Sequence, residues 1–333
     1  MENFWADKRV LITGGAGYLA YSLLHLLKDK AASIVRLDRP GSEFPPVIAC
    51  HEQRRMGTAE IQNVQADIRS SDVWKNLVPN TDVIFHLAAQ TSAVKADADP
   101  DEDLAVNVNP VTALIKTCRQ MQVGPTVLFA GTVTECGLTP SVPVNESAPD
   151  HPITMYDRHK LMAEKKLEQA DKAGVLRSVT LRMPNLYGPG PRNSSTDRGV
   201  LNRMVRRALA GEALTVYGTG GYIRDYLFVE DAARAFLAAA EKIESVHGRH
   251  FVIGTGNGTT IKEAFELVAE RAAAKGYPRV DVNRIEPPGP LPAIETRNFA
   301  ADATQFKKGT GWRAAVDLQA GIDRTIEFYG NAH

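Results

Sequence analysis

Lys8-Arg9-Val10-Leu11-Ile12-Thr13-Gly14-Gly15-Ala16-Gly17-Tyr18-Leu19-Ala20 decides how this chain is read. A short apolar run ends in a glycine cluster, and a helix-period pattern starts at once behind it. Gly14, Gly17 and Ala20 stand three positions apart, the spacing of a dinucleotide-binding turn. Gly14 permits the sharp exit from the strand. Gly17, without a Cβ, lets backbone approach a pyrophosphate, and Ala20 lets helix and strand close together. Backbone N–H groups and the positive end of the helix dipole then face the phosphates. A small residue at every third position also suits plain helix–strand packing, so the turn alone does not settle the matter.

The next strand, Ser33-Ile34-Val35-Arg36-Leu37-Asp38, ends in an acid about 20 residues beyond the glycines, where a ribose-binding carboxylate belongs. Asp38 accepts hydrogen bonds from a ribose diol and repels a 2′-phosphate, which favours NAD. Arg39 directly behind it can serve a phosphate, which keeps NADP as the alternative.

The rest of the composition narrows the class. A chain of 333 residues exceeds one minimal domain. Its 39 basic residues balance 39 acidic ones without a long block of one sign, so no stripe for nucleic acid or anionic lipid is expected. There is no apolar run long enough for a membrane span. The first strand begins by about residue 8, too early for a signal peptide. Cys50, Cys118 and Cys136 have no metal-ligand spacing and an odd count, as expected of reduced cytoplasmic thiols and no metal site.

Up to about residue 183, short β-branched runs alternate with helix-period runs, which predicts a parallel sheet with helices on both faces. A long polar connection runs from Arg39 to Glu60. Further strands are expected at Ile61–Ala66, Asp82–Leu87 and Thr126–Ala130, with one helix from about Asp101 to Gln122 carrying Asn107. Ligands bind at the carboxyl edge of such a sheet, where Asp67, Ala88-Ala89-Gln90 and Thr132 fall. Asp67 also reads as an ordinary helix N-cap. His86, inside an apolar strand, reads as a core histidine. After a proline-rich loop from Thr139 to Pro152, Tyr156 and Lys160 stand four apart and share a helix face. An ammonium beside a phenol lowers the phenol's pKa and makes it an acid/base near neutral pH. Such a pair also arises by chance in many helices.

With these pieces in order, the chain resembles the extended short-chain dehydrogenase/reductase superfamily, in its nucleotide-sugar epimerase/dehydratase branch. The resemblance continues through Arg182-Met183-Pro184-Asn185-Leu186-Tyr187-Gly188-Pro189-Gly190, Tyr217-Gly218-x-Gly220, Arg224-Asp225-Tyr226-x-Phe228-Val229-x-Asp231, Arg297-Asn298-Phe299-Ala300-Ala301-Asp302 and Gly311-Trp312. It implies an α/β fold. A Rossmann-type doubly wound parallel sheet would span 1–183 plus about 226–254. A smaller mixed α/β lobe, from 184–225 and 255–333, would close over a nucleotide sugar. Around NAD the resemblance places Gly14, Gly17, Tyr18, Leu19, Asp38 and Arg39. To these it adds Asp67, Ile68, Leu87, Ala88, Ala89, Gln90, Asn107 and Pro184. Tyr156 matches the acid/base, Lys160 the residue that holds the nicotinamide ribose and tunes the tyrosine, and Thr132 the partner of the reacting sugar hydroxyl. Thr134, Asn185, Leu201 and Tyr217 match sugar-nucleotide contacts, and Arg224 and Arg297 a diphosphate clamp, which suits guanidinium geometry. A surface ion pair is the plainer account of either arginine. A homodimer through the helices after the fourth and fifth strands is the family's habit.

The branch's chemistry passes through a 4-keto sugar. The chain is expected to be an NAD-dependent nucleotide-sugar epimerase, most simply at C4. An NAD(P)-dependent 4-keto-sugar reductase is the alternative, a 4,6-dehydratase ranks lower, and a non-catalytic dinucleotide sensor lowest. Dehydratases of the branch carry an acid and a glutamate directly after the strand-end threonine, where this chain has Val133 and Thr134. Glu135 comes one position late, usable only through a bulge. Cys136 replaces a common tyrosine, as packing or as a reshaped sugar pocket. Met155 and His159 also depart from the commonest pattern, and His159 is expected on the solvent face of its helix. The loops near Arg192–Leu201 and Asn283–Ile294 are expected to select nucleotide and sugar.

Overall fold

The computed structural model describes residues 3–46, 59–191, 199–287 and 289–331. Cys50 and parts of the Arg39–Glu60 connection and of the Arg192–Leu201 loop lie outside them. In chain order the strands are β1 (Arg9–Thr13), β2 (Ser33–Asp38), β3 (Glu60–Gln65), β4 (Val83–His86), β5 (Thr126–Thr132), β6 (Arg177–Met183), β7 (Asn185–Tyr187), β8 (Leu214–Tyr217), β9 (Ile223–Phe228), β10 (Arg249–Val252), β11 (Gly258–Thr260) and β12 (Val282–Ile285).

Seven strands form one parallel sheet in the order β10-β6-β5-β4-β1-β2-β3. Alternate side chains of a strand point to opposite faces, and here both directions are apolar, as a sheet covered on both sides requires. Val10, Ile12, Phe85 and Leu128 face one core with Leu23 and Phe236, from the helices Tyr18–Leu27 and Val229–Glu241. Leu11, Ile84, Val127 and Phe129 face the other with Trp74, Leu114 and Leu167, from the helices Ser71–Leu77, Asn109–Met121 and Met155–Lys172. Strand order reverses direction between β1 and β4, and the crevice beyond their carboxyl ends is where a ligand fits this architecture.

A smaller lobe holds a three-stranded sheet, β11-β9-β7, and a parallel pair, β12-β8. Tyr187, Met204, Phe265, Ile322 and Ile326 fill its core between the helices Val200–Leu209, Ile261–Ala274 and Leu318–Gly330.

Three expectations change. The single helix from Asp101 to Gln122 is two, Pro100–Asn107 and Asn109–Met121, with Pro110 in the first turn of the second. A proline there lacks the N–H that would have continued the first helix. Tyr226 lies in the small sheet, and the chain rejoins the main body only with the helix at Val229. Conversely, Phe306 and Trp312, from the stretch assigned to the smaller lobe, pack into the main core, where Trp312 Nε1 donates to Asp231 O at 3.0 Å. His86 is the core histidine expected. Its Nδ1 meets Thr13 Oγ1 at 2.9 Å, and burial, with the nearby Lys160 charge, holds its pKa down at about 3.

Arg182 on β6 is fully buried. It forms a two-pronged pair with Glu164 (3.0 and 2.7 Å) and lies 3.0 Å from Glu135 and 2.7 Å from Asp150. Removing one partner of a buried ion pair costs about 3–5 kcal/mol, because the remaining charge is left without compensation. Arg182→Leu is therefore expected to lose stability on that scale in urea unfolding at neutral pH. The deficit should shrink as acid neutralises the stranded carboxylates.

Candidate active site

Gly14 adopts φ +69° as the chain leaves β1, and a Cβ there would stand 2.9 Å from Ala88 N. Gly17 begins the first helix, and a Cβ there would fall 2.8 Å from Gly14 O. Both glycines are thus required by close backbone approach. The helix has no side-chain cap and no acid in its first turn. Its first N–H groups are left to a ligand, and an anion is what they suit. Asp38 ends β2 beside this turn. Its Oδ2 accepts from Ala16 N at 3.0 Å, and its Oδ1 accepts from Arg39 N and Ser42 Oγ at 2.8 and 2.7 Å. Arg39 is exposed. The acid sits at the loop's rim with lone pairs to spare, where the sequence placed a ribose partner.

Arg36 is a residue the sequence reading passed over. It is buried under the same turn, with Nε donating to Gly15 O at 3.1 Å, Nη1 to Pro45 O at 3.1 Å and its guanidinium 4.8 Å from the Phe44 ring. An arginine inside an apolar strand, two positions before the acid, was the available signal.

Other expected cofactor contacts are committed within the protein. Tyr18 turns toward the smaller lobe, donating to Gly188 O at 2.7 Å and accepting from Asn202 Nδ2 at 3.1 Å. Leu19 and Ile68 are buried in the two cores, so only their backbone faces the edge. Asp67 pairs with exposed Arg69 and does not cap the helix Ser71–Leu77, whose N-cap is Ser70. Leu87 and Ala88 donate their N–H groups to Thr13 Oγ1, both at 3.2 Å, and continue through Ala89 to Gln90. Asn107 is buried and grips that segment, accepting from Gln90 N at 3.2 Å and donating to Gln90 O at 3.0 Å and Asp103 at 2.9 Å. Gln90 itself donates to Asp103 at 2.8 Å. Asn107 and Gln90 therefore shape the crevice wall with side chains already engaged. His159, expected in solvent, is buried with Nδ1 2.7 Å from Asp103 Oδ2 and completes this network.

Thr132 ends β5 beside the switch point. The helix Met155–Lys172 starts with a reciprocal cap, Thr154 Oγ1 accepting from Asp157 N at 3.2 Å and Asp157 accepting from Thr154 N at 3.1 Å. This fixes the helix start and with it half-buried Tyr156 on its first turn. Lys160 is buried, its ammonium 3.9 Å from the centre of the Phe129 ring. Burial pushes its pKa down to about 8 against the upward pull of Glu135, Asp103 and Glu164. Thr132 Oγ1 lies 2.8 Å from Thr134 Oγ1, which hydrogen-bonds Asp157.

Glu135 does not reach the crevice. Its Oε1 accepts from Thr132 N at 3.0 Å, its other oxygen faces Arg182, and burial followed by the Glu164 charge raises its pKa. No bulge rescues it as a dehydratase acid. Cys136 is buried among Val133, Val144, Val252 and Phe299, which makes its replacement of tyrosine a packing matter.

In the smaller lobe Arg224 is buried and donates to the backbone oxygens of Ile223, Arg297 and Glu295. Arg297 donates to Ile294 O at 2.8 Å, and its Nε is buried without a partner among the described residues. Burial, then repulsion from Arg224, lowers its pKa to about 10. Two adjacent guanidiniums share the exposed Glu295 carboxylate and, for Arg297, the field of buried Asp157, so neither is a surface ion pair. Asn185 and Pro184 are half-buried where β6 gives way to β7, and Tyr217 is exposed at the end of β8. Leu201, expected to touch substrate, is instead sealed in the small core.

A profile of the NAD dependent epimerase/dehydratase family matches residues 10–254. A UDP-glucose 4-epimerase of Mycolicibacterium smegmatis is 29% identical over 97% of this chain and 99% of its own length. The crystal structure of a UDP-glucose 4-epimerase with UDP-glucose from Thermotoga maritima superimposes with a TM-score of 0.81 at 27% identity, covering 97% of this chain and 99% of that one. A Thermus thermophilus UDP-glucose 4-epimerase in complex with NAD gives a TM-score of 0.79 at 27% identity, covering 98% and 100%. The uncapped glycine turn, the strand-end threonine and the Tyr156–Lys160 helix sit in a chain that belongs to the NAD-dependent epimerase/dehydratase family.

Proposed function

We propose that the protein is an NAD-dependent nucleotide-sugar epimerase that inverts a sugar carbon, most simply C4, through a transient 4-keto sugar. The observation that carries this reading is the meeting of Thr132 with the helix of Tyr156 and Lys160 at the carboxyl edge of the sheet, while Glu135, the one acid following that threonine, is folded inward. Elimination of water needs a proton donor at that place, and Val133 supplies none.

The residues fit NAD on this chain's own geometry. Gly14 and Gly17 let the turn close tightly against Ala88 and upon itself, the uncapped helix offers donors to a pyrophosphate, and Asp38 waits at the rim. When bound, NAD supplies the acceptor for the hydrogen of the sugar carbon and returns it. Tyr156 takes the hydroxyl proton as a phenolate and gives it back after the sugar has turned. The Lys160 ammonium stabilises that phenolate and reaches the nicotinamide ribose. Thr132 holds the reacting hydroxyl. Arg224 and Arg297 take the diphosphate, and Asn185, Pro184 and Tyr217 line the way to it. The loops near Arg192–Leu201 and Asn283–Ile294 set the choice of nucleotide and sugar. The same reading places the enzyme in the cytoplasm as a homodimer through the helices Asn109–Met121 and Met155–Lys172, where Met162 is exposed. No helix of the described residues is long and apolar enough to cross a membrane.

UDP-glucose is the probe of choice, because the relatives above are UDP-glucose 4-epimerases. The protein should purify with NAD and interconvert UDP-glucose and UDP-galactose with no net change in reduced-nicotinamide absorbance. Stoichiometric consumption of added NADH or NADPH with a 4-keto sugar would replace this reading with a reductase.

Tyr156→Phe is expected to lose on the order of 10²-fold or more in kcat while retaining NAD, since only the proton transfer disappears. Wild-type turnover in that variant would reject the assignment. The Lys160 ammonium is charged below about 8 and neutral above it. Support for the phenolate is thus present at neutral pH and lost as pH rises. The pH profile of kcat/KM should fall above about 8 in the wild type. In Lys160→Arg, whose guanidinium does not titrate in that range, the residual activity should show no such limb.

A further inference from the structure

The hydroxyl of Thr132 is connected to a buried carboxylate through one intervening residue, and the direction of that connection can be read. Asp157 is buried at 1% exposure, and its Oδ2 is held by Thr154 N at 3.1 Å. Its Oδ1 meets Thr134 Oγ1. A carboxylate only accepts, so the single proton of the Thr134 hydroxyl is spent there. Thr132 Oγ1 lies 2.8 Å from Thr134 Oγ1 and must therefore be the donor in that contact. The N–H of Thr134 points back at Thr132 Oγ1 at 3.3 Å and takes one of its two lone pairs, which leaves one for accepting elsewhere.

We propose that Asp157, acting through Thr134, is a positioning residue that fixes Thr132 as a hydrogen-bond acceptor. In the bound complex the reacting hydroxyl donates to Thr132 until it turns its one proton to the Tyr156 phenolate, and a carbonyl at that carbon finds no donor in Thr132. A 4-keto sugar is held by Tyr156 without help from Thr132, which raises its energy in the site relative to the alcohol and favours its reduction. The inference rests on the reading of Thr132 as the sugar-hydroxyl partner. It also removes Thr134 from the substrate contacts expected of it, since its hydroxyl is occupied on both sides.

Asp157→Asn is the decisive variant. The cap requires an acceptor facing Thr154 N–H, so the amide oxygen stays there and the amide nitrogen turns to Thr134. Thr134 then accepts, donates to Thr132, and frees the Thr132 proton for the site. The helix cap survives while the direction of the chain reverses. Thr134→Val cuts the chain, and Thr134→Ser preserves it.

The measurement is calorimetric binding of UDP-6-deoxyglucose and UDP-4-keto-6-deoxyglucose to the NAD-loaded protein in a Tyr156→Phe background, where turnover is blocked. The ratio of the two dissociation constants should move toward the ketone by roughly threefold to tenfold in Asp157→Asn, the value of one hydrogen bond. It should move in the same sense in Thr134→Val and stay at the parent value in Thr134→Ser. Affinity for UDP alone should hold in both Thr134 variants, which separates this effect from damage to the fold. In Asp157→Asn, which removes a negative charge acting on Arg297, it should strengthen, and the ratio of the two sugar nucleotides cancels that change. If Thr132→Ala shifts the ratio while Asp157→Asn and Thr134→Val do not, the site reading stands and the proposal is overturned. If Thr132→Ala leaves the ratio unchanged, or neither sugar nucleotide binds, both fall.

Discussion

The buried guanidinium of Arg182 is the constraint on which the geometry of the site depends. It stands on β6 and gathers Glu164 from the helix Met155–Lys172, Glu135 from the turn after β5 and Asp150 from the preceding loop. Tyr156, Lys160 and Glu164 follow one another at intervals of four and share a helix face. Anchoring Glu164 therefore sets the rotation of that helix about its axis, and with it the seat of the Lys160 ammonium against Phe129 on the sheet. Glu135, held by the same guanidinium, binds Thr132 N at 3.0 Å and fixes the other half of the pair. One cation thus aligns strand end and helix.

The same arrangement explains the electrostatics. An ammonium buried beside Phe129 would lose its proton readily, but the carboxyl groups of Glu135, Asp103 and Glu164 pull in the opposite direction. The balance leaves Lys160 protonated at neutral pH without an ion pair among the described residues, and the proposed reaction uses that charge to support the phenolate. Arg224 and Arg297 follow a related logic at the lobe boundary. Their protein partners are mostly carbonyl oxygens, which orient guanidiniums without neutralising them. Positive charge held by dipoles is charge still owed a counter-ion, and in the proposed reading a diphosphate supplies it.

What the sequence made legible was local. The glycine turn depends on residues a few positions apart, and the alternation of apolar side chains in β1, β4 and β5 repeats every second residue. Tyr156 and Lys160 need only one helical turn to meet. What the sequence did not show is long-range. His159 looked solvent-facing beside Arg158 and Lys160, but its partner Asp103 is 56 positions away. Asn107 looked like a ligand contact, and its amide closes on Gln90, 17 positions back. Tyr18 spans 184 positions to Asn202, and Leu201 disappears into a core whose other walls come from the end of the chain. In each case the residue type and element were readable, while the side chain's direction depended on a partner that only the fold brings near.

Glu135 shows how such a direction can decide a reaction. Counted along the chain, it lies one position from where a dehydratase would place its glutamate. In the folded protein that position faces the opposite side of the turn. The residue closes a short helical turn, Val133–Cys136, by capping Thr132, and its remaining oxygen is committed to Arg182. Bringing it into the crevice would expose Arg182 to an incomplete set of partners and leave Thr132 N–H unpaired inside the protein, and each of those costs on the order of a kcal/mol or more. The carboxyl that could have driven elimination is therefore employed in holding Thr132 still. In the proposed reaction a sugar meets a hydroxyl and a phenol, a pair suited to moving one proton out and back and not to expelling water.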